Sequence, residues 1–247
     1  MGRPALVALA IAVLALGVRA VPARGEGLTE PCPPTIAGGI ELSAGFAGEK
    51  GEALELGYGR RVLLRGRVLD PGGNPLNGAT VCVDERTLIP GREYSRLGTA
   101  RTNVDGYWSF KLASGASRAL RVSYGEGPGR QTRLLRLRVR AQALLRIGKL
   151  VTRDERPIHF SGRIGGPLAG RRVVFLRGTV PGARRKFLVR RALTDAFGRF
   201  EMTYAFSPVG APTKFVFWAV VPAQGDYPYL LGQSRPRFIR VRPSAVG

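Results

Sequence analysis

The chain has 247 residues, a formal charge of +22 at neutral pH, one histidine and two cysteines. This length fits one large or two ordinary domains, since a domain near 100 residues already buries about two-thirds of its unfolded surface. The single histidine excludes a site with several histidine ligands, and the excess of positive charge favours polyanionic neighbours.

The first 20 residues have the pattern of a secretory signal peptide. Arg3 precedes an uncharged, mostly apolar run of 14 residues, and small residues then lead to Ala20. The run is shorter than the ~20 residues of a membrane-spanning helix. We therefore expect cleavage after Ala20 or Ala23, a secreted or cell-envelope location, and no transmembrane anchor in the mature chain. Cleavage after Ala20 lowers the charge to +20, because two arginines and no acidic residue are lost.

Residues 21–37 are predicted to form an extended leader, because prolines remove backbone donors and disfavour regular structure. The leader carries Cys32, one of the two cysteines of the mature chain. An even number of cysteines usually pairs in an oxidising compartment. We expect a disulfide between Cys32 and Cys82 that tethers the leader to the domain that follows, and two free buried thiols are the alternative.

A sequence repeat sets the expected domain count. Residues 75–83 align with residues 167–175 at an offset of 92, and residues 102–108 align with residues 194–200 at the same offset. Upstream, the Gly-Arg-Val motif at Gly66 matches Gly-Arg-Ile at Gly162 with an offset of 96, because the first copy has a longer turn. We predict two domains, residues 38–141 and residues 142–247, held end to end because no flexible Gly/Ser tract separates them.

Each copy is predicted to consist of short strands. Apolar residues alternate with polar ones in residues 62–68, in residues 135–140 and in residues 239–242, which is a period of two. Such strands have one dry and one wet face, which antiparallel sheets accommodate. The predicted fold class is all-β, with two tandem Ig-like antiparallel β-sandwich domains after a cleaved signal peptide.

Two glycine turns are predicted to close β-hairpins. Asp105-Gly106 and Phe197-Gly198 each precede an alternating strand, and Asp-Gly favours a tight two-residue turn. The aromatic residues of the following strands are expected to fill the core, with a ligand platform as the alternative.

The motifs at residues 66–68, 73–81 and 102–110 resemble the carboxypeptidase regulatory-like family. The resemblance implies a prealbumin-like or carbohydrate-binding-like β-sandwich, and in that family such domains are accessory modules attached to enzymes, adhesins or transporters. The second copy looks like a diverged member through residues 162–163 and 194–200, and it is similar to the Ig-like repeats of secreted bacterial proteins. These motifs belong to turns and strands, so they imply a fold and no chemistry.

No catalytic constellation, metal site or cofactor site emerges from the sequence, and we predict that the protein is not an enzyme. His159 lies in a predicted strand with no partner motif, which favours an ordinary strand histidine. Asp70, Asn74, Asn103 and Asp105 lack the alternating ligand spacing of a calcium loop, which favours turn formation.

The arginines are the remaining candidates for binding. They outnumber lysines 34 to 5, and guanidinium groups suit phosphate or carboxylate oxygens. GC-rich codons are an equally good explanation of the excess. Candidate polyanion contacts form one strand face and a second basic cluster: Arg136, Arg138, Arg140, Arg184, Arg185, Arg190 and Arg191.

Tyr227 and Tyr229 are candidate aromatic contacts, with a rigid packed turn as the alternative. The leading functional hypothesis is a secreted, non-catalytic binding or structural module of the cell envelope that contacts carbohydrate or anionic polymers. The alternatives are a structural module that depends on a separate secreted protein, and a hydrolase with an unrecognised site. Nucleic acid is disfavoured, because no stacked-aromatic signature is present.

Overall fold

We analysed a computed structural model of the chain, which describes Cys32, residues 39–184 and residues 186–244. The predicted signal peptide, the rest of the predicted leader and Arg185 lie outside the described residues. In the described part, no helix is long and apolar enough to cross a membrane.

The N-terminal half of the described chain forms two facing sheets. Its strands are β1 (Glu41–Leu42), β2 (Gly45–Phe46), β3 (Ala53–Gly57), β4 (Val62–Leu69), β5 (Thr80–Thr87), β6 (Ser95–Arg101), β7 (Tyr107–Leu112), β8 (Arg118–Tyr124) and β9 (Gln131–Arg140). In sheet 1A, β4 pairs with β1, β2 and β7; sheet 1B has the order β3-β9-β8-β5-β6. All pairs are antiparallel except β3 with β9, which is parallel.

The C-terminal half repeats this arrangement. Its strands are β10 (Ala143–Ile147), β11 (Val151–Arg153), β12 (Pro157–Ile164), β13 (Val173–Thr179), β14 (Phe187–Leu193), β15 (Arg199–Ala205), β16 (Thr213–Val221), β17 (Gly232–Gln233) and β18 (Arg237–Arg242). Sheet 2A has the order β10-β12-β15, and sheet 2B has the order β11-β18-β16-β13-β14, with β17 also on β16. Again only the first strand of the larger sheet is parallel, β11 to β18.

Each half therefore has the strand arrangement of an immunoglobulin-like β-sandwich. The predicted all-β, antiparallel, Ig-like fold class is confirmed. A division into two domains at residue 141 stays a prediction.

The alternation read from the sequence places the core. Leu135, Leu137 and Val139 are buried between the sheets, while the arginines between them are exposed. Ile239 and Val241 repeat this pattern in β18. The buried faces of both sheets in each half meet in one apolar cluster, whose burial is the main stabilising contribution to such a fold.

The glycine shared by both copies allows a close backbone approach. A Cβ on Gly66 would lie 1.9 Å from the Ser43 carbonyl oxygen, and one on Gly162 would lie 2.2 Å from that of Leu144. The aromatic ring of the facing residue, Trp108 or Phe200, covers the same glycine. Both rings are buried, so the expectation that these aromatics fill the core is met at these positions.

The prediction that Asp105-Gly106 and Phe197-Gly198 close hairpins is wrong. The strands on either side of each turn belong to different sheets, so the turns carry the chain across the sandwich. Gly106 N donates to the Asn103 carbonyl, so Gly106 is the fourth residue of the turn, and it has a positive φ of 75° there. Asn103 Oδ1 also accepts hydrogen bonds from the backbone N–H groups of Asp105 and Tyr107. Hydrogen bonds within this turn pair the backbone groups of Asn103, Gly106 and Tyr107, although β6 and β7 do not pair with each other.

Hydrogen bonds also correct the sequence alignment by one residue at the start of β5 and β13. The Thr102 hydroxyl accepts from Ala79 N, and the Thr194 hydroxyl accepts from Arg172 N. This places Arg171 opposite Gly78 instead of Gly170, and both have positive φ, 57° and 70°. The turn keeps its shape in the second copy although a non-glycine residue occupies the left-handed position.

The structure joins Cys32 to Cys82 in a disulfide, in agreement with the expected pairing. Cys82 lies on the face of sheet 1B that points away from the core, because it alternates with the core residues Val81 and Val83. Cys32 is itself buried there. The disulfide therefore fixes one point of the N-terminal segment on the outer face of sheet 1B.

Candidate functional site

The three candidate arginines of β9 lie side by side on the outer face of sheet 1B. Arg136, Arg138 and Arg140 are all exposed. The parallel strand β3 brings Glu55 next to two of them, with Glu55 oxygens 3.7 Å from Arg138 Nη1 and 3.4 Å from Arg140 Nη2. In the described part of the chain, Arg136 has no ion pair. The row therefore keeps an excess of two positive charges.

A cleft of about 340 Å³ adjoins this row. Its lining includes Arg136 and Arg138 together with Arg86, Tyr94 and Glu52. The centre of the Tyr94 ring lies 5.1 Å from the Arg86 guanidinium and 4.4 Å from the Arg121 guanidinium. Such cation–π contacts favour a fixed ring position. The outer face of sheet 1B thus presents several guanidinium groups around one aromatic ring.

A buried carboxylate organises the neighbouring part of this face. Asp84 is only 1% exposed. Arg96 Nε donates to its Oδ1 at 2.5 Å, while Oδ2 lies 3.0 Å from Arg121 Nη2 and 3.8 Å from Arg130 Nη2. Because a buried charge needs partners, this carboxylate holds Arg121 in place against Tyr94. The sequence offered no signal for this network, since Asp84 is one acidic residue in an ordinary strand.

The second predicted basic cluster does not form one surface. Arg184, Arg190 and Arg191 are exposed, and Arg185 is outside the described residues. Arg190 and Arg191 are consecutive in β14, where they pair with Leu176 and Phe175. Consecutive strand residues point to opposite sides of a sheet. The prediction of a single contact cluster is wrong in this respect.

The predicted aromatic contact at Tyr227 and Tyr229 is also wrong, because both side chains are buried, at 1% and 4% exposure. Their rings are 4.5 Å apart, and the Tyr227 hydroxyl donates to the Gly165 carbonyl at 2.8 Å. Tyr229 also makes an edge contact with Tyr58 of the N-terminal half. The two tyrosines pack the junction between the halves, which corresponds to the packed-turn alternative.

Backbone hydrogen bonds fix the same junction. Ser117 N donates to Pro228 O, and Leu230 N donates to Val139 O. Ala141 N in turn donates to Leu230 O. The segment from Tyr227 to Leu230 therefore acts as a short bridge between β9 and the C-terminal half.

This junction predicts a loss of stability at alkaline pH. Burial raises the pKa of Tyr227 to about 12, and burial also raises the pKa of Tyr229. An unfolded tyrosine ionises near pH 10. The tyrosines' contribution to stability is therefore complete below about pH 10 and is lost as the pH rises towards about 12.

We expect Tyr227→Phe to weaken this pH dependence, although it removes the hydrogen bond to Gly165. The measurement is the urea midpoint at intervals from pH 9 to 12, with the exposed Tyr107→Phe as control. The prediction is contradicted if the urea midpoint depends on pH in the same way in the unmodified protein, in Tyr227→Phe and in Tyr107→Phe.

The structure shows local contacts for the residues weighed for catalysis or metal binding. His159 is exposed, with Nε2 3.9 Å from Glu201 Oε2. Hydrogen bonds from Asn74 and Gly72 lower the pKa of Asp70. Asp70 Oδ1 accepts these bonds from backbone N–H groups of its own turn. Among the described residues, no group of three or more His, Cys, Asp or Glu side chains could hold a metal ion.

A larger cavity, of about 840 Å³, was not anticipated from the sequence. It lies on sheet 1A and is lined by Arg65, Arg67, Arg101, Tyr107 and Trp108, among others. The sequence pattern placed Arg65 and Arg67 on the polar face of a strand and predicted that Trp108 lies in the core. A position-by-position comparison of the two copies would have shown that several of them differ in the second copy.

No family model and no curated protein matches this chain. The prediction of a carboxypeptidase regulatory-like relationship therefore stays a resemblance, while its coarser part, an Ig-like β-sandwich repeat, is shown by the fold.

Solved structures with similar architecture include the adhesin InvE of Yersinia pseudotuberculosis, at 12% identity and a TM-score of 0.38, covering 82% of this chain and 58% of that one. Invasin, a bacterial integrin-binding protein, matches at 12% identity and a TM-score of 0.37, over 83% of this chain and 40% of the other. Salmonella alpha-2-macroglobulin matches at 14% identity and a TM-score of 0.31, covering 86% of this chain and 15% of that one. At these values the likenesses carry no argument about function.

Proposed function

We propose that the protein is a secreted, non-catalytic binding module of the cell envelope that contacts anionic polymers through the outer face of sheet 1B. The single observation that carries this proposal is the exposed row of Arg136, Arg138 and Arg140 beside the cleft that holds Tyr94. A linear polyanion presents charges at regular intervals, and neighbouring guanidinium groups on a rigid strand can engage several of them at once.

The electrostatics of the row support contact with an external anion. Glu55 compensates only part of its charge, and both of its ion pairs are longer than 3.3 Å with about half-exposed partners. Such surface pairs contribute little. An incoming phosphate or carboxylate therefore displaces Glu55 from the guanidinium groups at small cost.

The test is retention on immobilised anionic polymers, a polyglycerol phosphate and a polyuronate, in a salt gradient. The variant Arg136→Gln/Arg138→Gln/Arg140→Gln is expected to bind both polymers about tenfold more weakly, since each lost charge contact is worth about 0.5 kcal/mol. The matched control is Arg146→Gln/Arg153→Gln/Arg156→Gln, which removes the same charge from exposed positions of the C-terminal half.

The variant Glu55→Gln gives a test in the opposite direction. It leaves the row intact and removes its internal competitor, so retention should increase. If the row variant and the control variant elute at the same salt concentration, net charge alone explains the retention and the proposal fails.

A further inference from the structure

The cavity on sheet 1A lies where β2, β4 and β7 meet the end of β6. Its wall includes Arg65 and Arg67 from β4, Arg101 from β6, and Tyr107 and Trp108 from β7. Tyr107 is 54% exposed, and the Arg67 guanidinium lies 4.9 Å from its ring centre. The cavity thus combines three guanidinium groups and one carboxylate, that of Glu49, with an accessible aromatic ring, and it is separate from the sheet 1B face.

The second copy shows which of these residues the fold requires. Arg67 Nε donates to the Asp105 carbonyl, and Arg163 Nε donates to the Phe197 carbonyl in the equivalent turn. This arginine therefore braces the turn in both copies. Its partner glycine, Gly66 or Gly162, is equally structural.

Within the described part of the chain, no such structural contact is seen for Arg65 and Arg101, and Tyr107 is exposed. Strand register places Ser161 at the position of Arg65, Leu193 at that of Arg101 and Arg199 at that of Tyr107. The second copy forms the same strands without two guanidinium groups and without the tyrosine. The fold does not explain why the first copy has them.

Trp108 adds an independent observation. The indole is 3% exposed, and its Nε1–H has no hydrogen-bond partner among the described residues. The ring edge beside Nε1 lies against Gly66, since a Cβ there would be 2.8 Å from Trp108 Cε2. Phe200 fills the equivalent space without a polar atom. Buried donors are normally paired, so a donor at the wall of a cavity is suited to a ligand oxygen.

We infer that this cavity is a binding site for an acidic sugar unit that carries a carboxylate, such as a uronic acid in a polysaccharide. Arg65 and Arg101 supply forked donors for the carboxylate. The exposed face of Tyr107 supports the apolar side of the sugar ring. The Trp108 nitrogen exposes less than 1 Å², so a sugar hydroxyl would reach its N–H only if the backbone at Gly66 or Ser43 moves on binding.

The experiment measures binding of an oligogalacturonate to the purified protein by calorimetry. A neutral glucose oligomer and a glycerol phosphate oligomer of equal length serve as comparison ligands. Arg65→Gln/Arg101→Gln is expected to weaken oligogalacturonate binding at least tenfold, and Tyr107→Ala several-fold. The matched control Arg146→Gln/Arg153→Gln should bind as the unmodified protein does.

Trp108→Phe tests the buried donor, because it copies Phe200 and keeps the packing. It should weaken oligogalacturonate binding several-fold without lowering the thermal midpoint by more than a few degrees. In a Trp218→Phe background, Trp108 is the sole tryptophan of the chain and its fluorescence should change on addition of the ligand.

Equal binding of the oligogalacturonate by the Arg65/Arg101 variant and the control would overturn this inference. So would binding of the neutral oligomer as strong as that of the oligogalacturonate, or an equal loss of glycerol phosphate binding in the Arg65→Gln/Arg101→Gln variant. The variant of the β9 row changes binding of every polyanion, whereas these variants change only binding of the carboxylated sugar. Failure of one proposal can therefore be distinguished from failure of the other.

Discussion

Replacing Asp84 with alanine is expected to lower the free energy of unfolding by about 3 kcal/mol. The substitution removes the one carboxylate that faces Arg96, Arg121 and Arg130, and it leaves their guanidinium groups close together without compensation. We expect the lower end of the range for broken buried ion pairs, because Arg121 and Arg130 keep about a third of their side chains in solvent, 32% and 34%. Urea unfolding under oxidising conditions measures the effect.

The control for this prediction is Asp226→Ala, which removes an ion pair with Arg172 from an exposed position. Its effect should stay within about 1 kcal/mol, because Asp226 is 73% exposed although Arg172 is only 11% exposed. Asp84→Asn should be intermediate, because the amide keeps the volume and one acceptor but not the charge. Equal small effects for Asp84→Ala and Asp226→Ala would show that the network does not stabilise the sheet.

Adding a methyl group at Gly66 or at Gly162 is expected to cost about 3 kcal/mol or more in each case. The added carbon would lie 1.9 Å from the Ser43 carbonyl oxygen or 2.2 Å from the Leu144 carbonyl oxygen, so a neighbouring strand must move. Backbone yields less readily than the end of a flexible side chain. Gly66→Ala and Gly162→Ala are compared with the unmodified chain by thermal and urea unfolding.

Gly45→Ala is the matched control, because Gly45 lies in the neighbouring strand and an added Cβ would meet no atom within 4 Å. Its effect should remain below about 1 kcal/mol, as for other surface substitutions. If Gly66→Ala were as mild as Gly45→Ala, the approach of β4 to the segment at Ser43 would be adjustable, and the shared glycine would need another explanation.

Much of the fold follows from local sequence pattern. Period-two alternation identified the buried face of β9 through Leu135, Leu137 and Val139. In a strand with one solvent-exposed face, apolar and polar residues alternate, so the sequence shows which face is buried. The repeat anticipated that both halves would use a glycine at the turn of Gly106 and Gly198, where both have positive φ. The pairing of Cys32 with Cys82 followed from the count of cysteines.

The remainder depends on contacts between distant segments. An Asp-Gly turn has the same local signal whether the next strand pairs with its predecessor or crosses to the other sheet, so the hairpin at Gly106 was mispredicted. Tyr227 and Tyr229 resemble a loop contact in sequence, but contacts with Gly165 and with Tyr58 of the N-terminal half, both distant in the chain, pack them. The sheet 1A cavity is formed by strands that are far apart in the chain, so no single sequence motif predicts it.

The disulfide also determines how the chain would respond to pulling. In the N-terminal half, β3 lies parallel to β9 over residues 53–57, an arrangement in which tension along the strands loads several hydrogen bonds in shear at the same moment. Cys32 is joined to Cys82, 50 residues further along, so β1 to β4 lie inside the closed loop. Force arriving from the N-terminus passes through the sulfur bridge directly into β5. The β3–β9 pair would carry mechanical load only after the bridge is reduced.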